Sequence, residues 1–335
     1  MRARFTVSTT RRQWLHAAAA VAGGLLALPA LAQGEAAWPT RPVRVIVPFP
    51  ASGATDLVAR VIAQRVSQEL GQQLVIDNRP GAGGTIGTAE AAKATADGYT
   101  LLFTTSSTHA ISPHLIPRLA YKADKDFSPI AHTADAASVL LVTPSLPVKS
   151  VQELIAYAKA HPGKLDYASP GNGSPHHLAM ELFKNRTGTS LTHIPYKGAA
   201  PAVADVMGGQ VPCMFLDLPA GLPMIQSGKV RALAIGTAKR IPTLPNVPTL
   251  AELGVKDSEV YAFQGILGPK AMPPAIVQRL NGDLQKALKD PEVVKRMADF
   301  GMEALPGTPE QFHAMARAEA KRWGEVIKAA GTKLD

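Results

Sequence analysis

The apolar residues of this chain form short β-branched runs, each followed by a longer stretch with helical spacing. The first run, Val43–Val47, is typical of a buried parallel strand. Proline and glycine in the loop 48–53 end that strand, and apolar positions 57, 58, 61, 62 and 66 then follow one helix face. Thr55 and Asp56 supply the side-chain oxygen and the acid that favour a helix start. The segment 43–66 therefore predicts a strand, a loop and a helix.

The same strand–loop–helix order recurs along the chain. Further strands are predicted at 74–76, 99–104, 138–142, 165–169, 191–194, 211–216 and 230–235, and helices after Pro273 at 274–289, 291–300 and 309–330. Strands that alternate with helices indicate an α/β fold with mostly parallel sheets. In such folds the loops after the strands lie together and bind ligands, so those loops are the first place to look for function.

The first 32 residues have the features of an export signal. Arg11 and Arg12 form the pair of a twin-arginine signal, residues 17–31 are apolar and alanine-rich, and residues 30–32 fit a small-x-small cleavage site. A buried N-terminal helix is the alternative interpretation. We expect a periplasmic protein whose mature part begins after residue 32.

Composition and net charge limit which kinds of ligand and environment the sequence suits. The chain has 335 residues and a formal net charge of +9, and loss of residues 1–32 removes four arginines and no acid, which leaves +5. This modest charge attracts anions mildly, and no basic cluster with interleaved aromatic residues indicates nucleic acid binding. No later apolar run has the length of a membrane span. Cys213 is the only cysteine, so an internal disulfide is impossible, and it lies in an apolar run typical of a buried strand.

Two loops have the chemistry of an anion site. The first, 49–56, is long, contains glycine and precedes a helix, whose free N–H groups and positive dipole end attract an anion. The second, 171–176, has the same character, with Ser174 as the expected helix cap and Pro175 as the first helical residue. The structural alternative is that any turn from strand to helix needs small residues. We interpret both loops as ligand contacts.

Other motifs are incomplete. The glycine-rich segment 81–87 does not match the dinucleotide fingerprint G-x-G-x-x-G, and the sequence has neither a P-loop nor a G-x-S-x-G elbow. We expect a structural turn or a close backbone approach at 81–87. His177 and Glu181 have i, i+4 spacing, but one such pair is a weak metal signal, so we expect neither a metal nor a cofactor. Asp217, at a strand end, is predicted to cap the next helix, with a cleft position as the alternative.

Eight segments together carry a family resemblance that covers nearly the whole mature chain. In chain order they are WPTRP (38–42), PFPASGATD (48–56), NRPGAGG (78–84), DGYTLL (97–102), YASPGNGS (167–174), PYKG (195–198), GGQV (208–211) and PNVPT (245–249). In order and spacing they resemble the Bug-type solute receptors of tripartite tricarboxylate transporters.

The resemblance implies an α/β fold like that of type II periplasmic binding proteins, with two lobes, a ligand cleft and hinge-crossing strands. Lobe 1 would comprise 36–140 with 237–335, and lobe 2 would comprise 141–236. The crossings are expected near 137–142 and 235–240. Backbone N–H groups, hydroxyls and waters would hold a ligand carboxylate. The implied ligand-binding residues are Phe49, Ala51, Ser52, Gly53, Ala54, Thr55, Asp56, Ser106, Ser107, His109, Gly171, Asn172, Ser174, His176, Tyr196 and Asp217.

The implied function is capture of a small organic carboxylate in the periplasm and its delivery to the permease subunits of a tripartite tricarboxylate-type membrane transporter. The protein would be a monomer without catalytic residues. A periplasmic sensor that feeds a membrane histidine kinase is one alternative. A serine hydrolase with Ser52 or Ser106 as nucleophile and His109 as base is the other.

Three departures from the family pattern concern the ligand. Ser52 stands where the family usually has glycine, and it adds a hydroxyl. Pro175 removes an N–H from the second loop. Asp217 follows Leu216 where the family commonly has an Asp-Asn pair, and in the cleft it would favour a cationic group or disfavour a second carboxylate.

Overall fold

The computed structural model describes residues 38–333. The predicted export signal at 1–32 lies outside the described residues. The strands are β1 Val43–Val47, β2 Leu74–Asn78, β3 Thr100–Thr105, β4 Phe127–Val142, β5 Asp166–Ser169, β6 Thr192–Pro195, β7 Cys213–Asp217, β8 Arg231–Ile235, β9 Tyr261–Pro269 and β10 Met302–Ala304.

The helices are α1 Ala54–Leu70, α2 Thr85–Ala92, α3 Ser112–Leu115, α4 Val151–Ala160, α5 Pro175–Thr187, α6 Ala199–Met207, α7 Leu218–Gln226, α8 Pro274–Lys289, α9 Pro291–Asp299 and α10 Pro309–Ala330. A 3₁₀ turn at Ala82–Gly84 precedes α2, and a π-helical turn at Ser107–Ile111 precedes α3. The alternation of strands and helices agrees with the predicted α/β fold.

The first sheet is mixed. Its parallel part has β1 between β2 and β3, and β3 then pairs antiparallel with β9. β9 pairs antiparallel with the first part of β4, as far as Tyr261 opposite Ala137. The sequence pattern missed β9 and residues 127–137 of β4. Both strands are buried over most of their length, so they lack the polar–apolar alternation that marks a strand with one exposed face.

The second sheet is built on the last part of β4. From Ser138 onward, β4 pairs antiparallel with β7 on one side and with β8 on the other. β5 lies parallel between β7 and β6. One strand therefore belongs to both sheets, and it changes sheets between Ala137 and Ser138.

Backbone hydrogen bonds brace this crossing. Ser138 N–H donates to the Val260 carbonyl at 3.2 Å, and Gly236 N–H donates to the Ser138 carbonyl at 2.8 Å. Val260 N–H donates in turn to the Gly236 carbonyl at 2.6 Å. Three separate chain segments thus meet at the crossing, and an added Cβ at Gly236 would lie 2.5 Å from the Val260 oxygen.

Helix ends follow the sequence signals at several positions. Ser150 and Ser174 accept N–H bonds from Glu153 and His177 at the starts of α4 and α5, as expected of N-caps. The start of α1 differs from the prediction, because Gly53 holds the cap position without a side-chain bond and Thr55 lies inside the helix. Asp217 lies at the cap position of α7, but its side chain makes no cap bond, so the predicted cap is wrong.

Substitution of Gly236 tests the crossing. Gly236→Ala should lower the free energy of unfolding by about 1–3 kcal/mol, because the new methyl group overlaps the Val260 backbone. Gly282→Ala in the exposed interior of α8, where nothing lies within 4 Å of the added Cβ, should instead raise it by about 0.5–1 kcal/mol. Urea denaturation of both variants measures the difference. Equal effects of the two substitutions would contradict a tightly packed crossing.

Candidate ligand-binding cleft

Strand register brings the carboxyl ends of both sheets to the crossing. Thr105, at the end of β3, pairs with Gln264, which pairs on its other side with Ala134 of β4. Beyond Ala134, β4 continues to Ser138. Ser138 pairs with Asp217 at the end of β7. The ends of β3 and β7 therefore face the same short segment of β4. In α/β folds this is where ligands bind.

The remaining candidate loops share these two edges. β1 is parallel to β3, so the loop 48–56 and the turn 106–109 follow strands that end on the first edge. β5 and β6 are parallel to β7, so the loop 170–176 and residues 196–198 lie after strands that end on the second. The topology thus distributes the predicted site residues between two opposed edges.

The Asp56 carboxylate holds the first loop in shape. Asp56 is 1% exposed. Its Oδ2 accepts from the Ser52 N–H at 2.9 Å and from Arg60 Nε at 2.9 Å, and its Oδ1 accepts from Asn78 Nδ2 at 2.9 Å. Because all of these donors belong to the protein, Asp56 positions the loop and its carboxylate is occupied.

Asn78 is a positioning residue that the sequence reasoning missed. Its amide nitrogen also donates to the Phe49 carbonyl at 3.0 Å, and its amide oxygen accepts from Arg60 at 3.2 Å. Asn78 ends β2, the strand beside β1, and so it joins the loop to the sheet. The signal was available, since Asn78 opens one of the segments that carry the family resemblance.

Hydrogen bonds set the charge of this buried acid. Burial raises the pKa of the Asp56 carboxyl, but hydrogen bonds from Arg60, Asn78 and the Ser52 N–H outweigh it and hold the pKa below its usual value. The carboxylate is consequently ionised at neutral pH, and it fixes the first turn of α1.

The polar groups of the first loop that have no hydrogen-bond partner in the described structure are donors. Ser52 has a φ of 65° and is exposed, and neither its hydroxyl nor that of Thr55 has a hydrogen-bond partner among residues 38–333. The first intrahelical bond of α1 begins at the Leu57 N–H, so the N–H groups of Ala54 and Thr55 lie free at the start of a 17-residue helix. These groups suit an anion.

The glycine-rich segment 81–87 packs closely against the first loop. Gly84 has a φ of 94°, and a Cβ there would lie 2.8 Å from the Thr108 methyl carbon and 3.1 Å from the Phe49 ring. A Cβ at Gly87 would lie 2.6 Å from the Arg79 oxygen. Glycine permits this close approach of three segments, in agreement with the predicted structural role.

The second loop repeats the division between fixed and free groups. Gly171, at a φ of 145°, bonds Ser169 Oγ through its N–H at 3.1 Å, and Ser174 N–H donates to the Gly171 carbonyl at 3.2 Å. The Gly173 N–H donates to His177 Nδ1 at 3.0 Å. The Asn172 side chain is exposed and has no hydrogen-bond partner among the described residues, so it is available to a ligand.

His176 and Asp217 meet at the crossing. His176 Nε2 lies 3.2 Å from the Asp217 nitrogen and 3.3 Å from Asp217 Oδ1, so it either accepts the N–H bond or pairs with the carboxylate. Asp217 Oδ1 also accepts from Ser138 Oγ at 3.2 Å. Burial raises the pKa of the Asp217 carboxyl, while His176 and Ser138 outweigh it and lower the pKa. His176 Nδ1 is buried without a partner.

Tyr196 is fixed by a neighbouring helix. Its hydroxyl donates to Asp205 Oδ2 of α6 at 2.5 Å. Burial and the adjacent carboxylate raise the pKa of Tyr196 to about 12, so the hydroxyl stays protonated. Its ring, packed beside the second-sheet core, is the part of Tyr196 that remains for a ligand.

The turn after β3 contains the remaining candidate residues, whose surroundings differ. The hydroxyls of Ser106 and Ser107 have no hydrogen-bond partner among residues 38–333. His109 has different surroundings: its Nδ1 lies 2.6 Å from Thr104 Oγ1, its ring packs against Phe127 at 4.9 Å, and it lines a cavity beneath α10. Burial lowers the pKa of His109 to about 3. No hydrogen bond joins His109 to Ser52 or Ser106, so the pairing that a serine hydrolase needs is missing there.

The described residues contain neither a metal-binding cluster nor a membrane-spanning helix. Within residues 38–333, no group of three or more His, Cys, Asp or Glu side chains could hold a metal ion. His177 Nε2 lies 3.9 Å from Glu181 Oε1, and the Tyr167 hydroxyl donates to that same oxygen at 2.5 Å. In the same part of the chain, no helix is both long and apolar enough to cross a bilayer.

Residues 58–332 match the family model described as "Tripartite tricarboxylate transporter family receptor". The chain belongs to this receptor family. Protein BugT of Bordetella pertussis is 42% identical over 298 residues, which cover 89% of this chain and 91% of BugT. The resemblance seen in the sequence to Bug-type receptors is thus confirmed.

Solved structures agree with the fold. A Rhodopseudomonas palustris protein solved with adipate is 40% identical, with a TM-score of 0.78 over 88% of this chain and 99% of that chain. MatC from the same organism, solved with bound malate, is 34% identical, with a TM-score of 0.74 over 87% of this chain and 100% of that chain. The α/β fold that the resemblance implies is thus confirmed.

Removal of the Asn78 amide tests the positioning network. Asn78→Ala should lower the free energy of unfolding by about 1–3 kcal/mol, because it removes the donor to the buried Asp56 Oδ1 and the donor to the Phe49 carbonyl. Amide hydrogen exchange at Ser52 should also become faster. Asn185→Ala, at an exposed position of α5, is the matched control and should change neither quantity in this direction. Unchanged exchange at Ser52 in Asn78→Ala would show that the loop holds its shape without Asn78.

A stacked histidine pair next to the second loop predicts acid sensitivity. His177 and His193 stack at 3.9 Å, and burial, with the neighbouring His177, lowers the pKa of His193 to about 4 from its ordinary 6.5. The folded protein therefore keeps His193 neutral where the unfolded chain is protonated, and stability present above pH 6.5 is lost as the pH falls toward 4.

Thermal melts across this pH range test the histidine pair. His193→Gln should lose less melting temperature on acidification than the parent protein, while His161→Gln, at an exposed ring, should follow the parent profile. Identical profiles for all three proteins would rule out His193 as a source of the acid sensitivity.

Proposed function

We propose that this protein is a periplasmic receptor that binds a small organic carboxylate between the loops 49–56 and 171–176 and delivers it to the permease of a tripartite tricarboxylate-type transporter. The observation that carries the proposal is the opposition of two sheet edges that each end in free donors. Adipate and malate, which are bound by two members of the family, are both dicarboxylates.

The donors fall into two sets across the crossing. From the first edge come the hydroxyls of Ser52 and Thr55 and the N–H groups that begin α1. From the second come the Asn172 amide and His176 Nδ1. Hydrogen bonds from N–H groups to a carboxylate are charge-assisted and stronger than neutral ones, so such a set favours an anion. Ser106 and Ser107 add two hydroxyls beside the first set.

Closure and export complete the proposal. The lobes, 36–140 with 237–335 and 141–236, would close about the strands at the crossing, as in other hinged binding proteins. Residues 1–32 would direct export by the twin-arginine route, and the mature protein would act as a monomer. Binding without turnover fits the family of receptors, and His109 is hydrogen-bonded to neither Ser52 nor Ser106.

Asp217 would tune selectivity. Its side chain is 34% exposed and its carboxylate is shared between His176 and Ser138. A partly balanced negative charge at the edge of the cleft disfavours a second ligand carboxylate close to it. We therefore propose that a dicarboxylate binds with its second acid directed away from Asp217.

A carboxylate panel tests the proposed function. Adipate, malate and other mono-, di- and tricarboxylates are added to the purified mature protein, and the melting temperature is measured. A true ligand at 100 times its Kd stabilises the folded state by about 2.7 kcal/mol, because it binds only the folded state. No shift across the panel, with amino acids and aromatic acids included, would count decisively against the proposal.

Variants of the first loop assign the site. Thr55→Val removes a free hydroxyl at nearly constant volume and should weaken the best ligand of the panel, whereas Thr192→Val on exposed β6 should leave its affinity unchanged. Ser52→Gly should not lower stability, because glycine suits a φ of 65°. Its effect on affinity then measures what the Ser52 hydroxyl contributes.

A further inference from the structure

A cavity outside the proposed cleft opens between α10 and the segment 109–129. Its volume is about 510 Å³, within the range typical of small-molecule sites. One wall is a stripe of α10 that includes Phe312, Ala316 and Ala320, and the facing wall includes Tyr121 and Phe127. The walls are therefore largely apolar and aromatic.

His109 lines this cavity and carries a buried polar atom. The residue is 7% exposed, and its Nε2 is buried without a hydrogen-bond partner in the described structure. The other ring nitrogen, Nδ1, is held by Thr104 at 2.6 Å, and the ring packs with Tyr121 and Phe127, so the orientation of the imidazole is fixed. A buried polar atom without a partner is costly, and a bound ligand would satisfy it.

The rim of the cavity is basic. Lys122, Arg317 and Lys321 line it, are exposed, and form no ion pair with another described residue. Asp124 is the one acid among the lining residues. The cavity thus combines an aromatic interior, one deep polar atom and a positively charged mouth, which complements an anion with an apolar body.

We propose that this cavity is a second ligand site, which binds an aromatic organic anion. The aromatic body lies between α10 and the Tyr121–Phe127 wall. Its acidic group is held at the rim by Lys122, Arg317 and Lys321, and a hydroxyl at its buried end bonds His109 Nε2. Aromatic rings favour aromatic walls through offset and edge-to-face packing.

The site is independent of the proposed carboxylate cleft. Phe127 begins β4, whereas the crossing that the cleft surrounds lies at Ala137 and Ser138. None of the free donors assigned to the cleft lines the cavity. Ligands of the two sites should consequently bind without direct competition.

Fluorescence titration with 1-anilinonaphthalene-8-sulfonate, an aromatic anion, tests the site in the mature protein. The double variant Arg317→Glu with Lys321→Glu should weaken binding at least tenfold, and Ala320→Phe, which fills the cavity, should abolish it. Lys256→Glu, at an exposed lysine that lines no part of the cavity, should leave binding unchanged. Thermal melts establish that each variant is folded. Equal binding by the parent, the double variant and Ala320→Phe would overturn the proposal.

A pair of competitors tests the role of His109. In displacement of the probe, 6-hydroxy-2-naphthoate should bind the parent protein more tightly than 2-naphthoate, and His109→Phe should remove that preference. The ratio of the two affinities within one variant is insensitive to small changes in fold. A hydroxyl preference that is absent from the parent, or that persists in His109→Phe, would overturn the assignment of the hydroxyl to His109.

Discussion

The fold depends on one strand that belongs to two sheets. β4 pairs with β9 as far as Ala137 and with β7 and β8 from Ser138 onward. Because the strand continues from one sheet into the other without a break, the carboxyl edges of both are held against the same few residues. Gly236 and Val260 brace this point by backbone hydrogen bonds, and glycine at 236 permits the close approach of the two segments. The location of the cleft is therefore a property of strand register.

The loops at this crossing divide their polar groups by task. Asp56 and Asn78 form their hydrogen bonds with other protein groups. The Ser174 oxygen, which caps α5, and the Tyr196 hydroxyl do the same. The groups that face no protein partner are short hydroxyls, one amide and N–H groups at a helix start. Preorganised donors of this kind lower the cost of binding because the loop is already ordered before the ligand arrives.

Much of this could be predicted from sequence, since local chemistry decides it. The strand Val43–Val47, the caps at Ser150 and Ser174, and the C-terminal helices all follow from hydrophobic spacing and helix-end residues. β9 and the first part of β4 could not, because strands buried on both faces lose the alternating pattern. The resemblance implies a cleft position for His109, but its ring packs beside Phe127 and lines the cavity beneath α10. Asn78 was missed as a contact because its partners are 22 and 29 residues away.

The network around Asp56 has a consequence for how such receptors diversify. Asp56 and Asn78 determine the shape of the first loop, while Ser52 and Thr55 present its free hydroxyls. One set of side chains therefore fixes the shape of the loop, and another set offers hydroxyls to a ligand. A lineage can exchange the presenting residues and still inherit the same loop. Single substitutions can therefore change the ligand preference while the loop keeps its conformation.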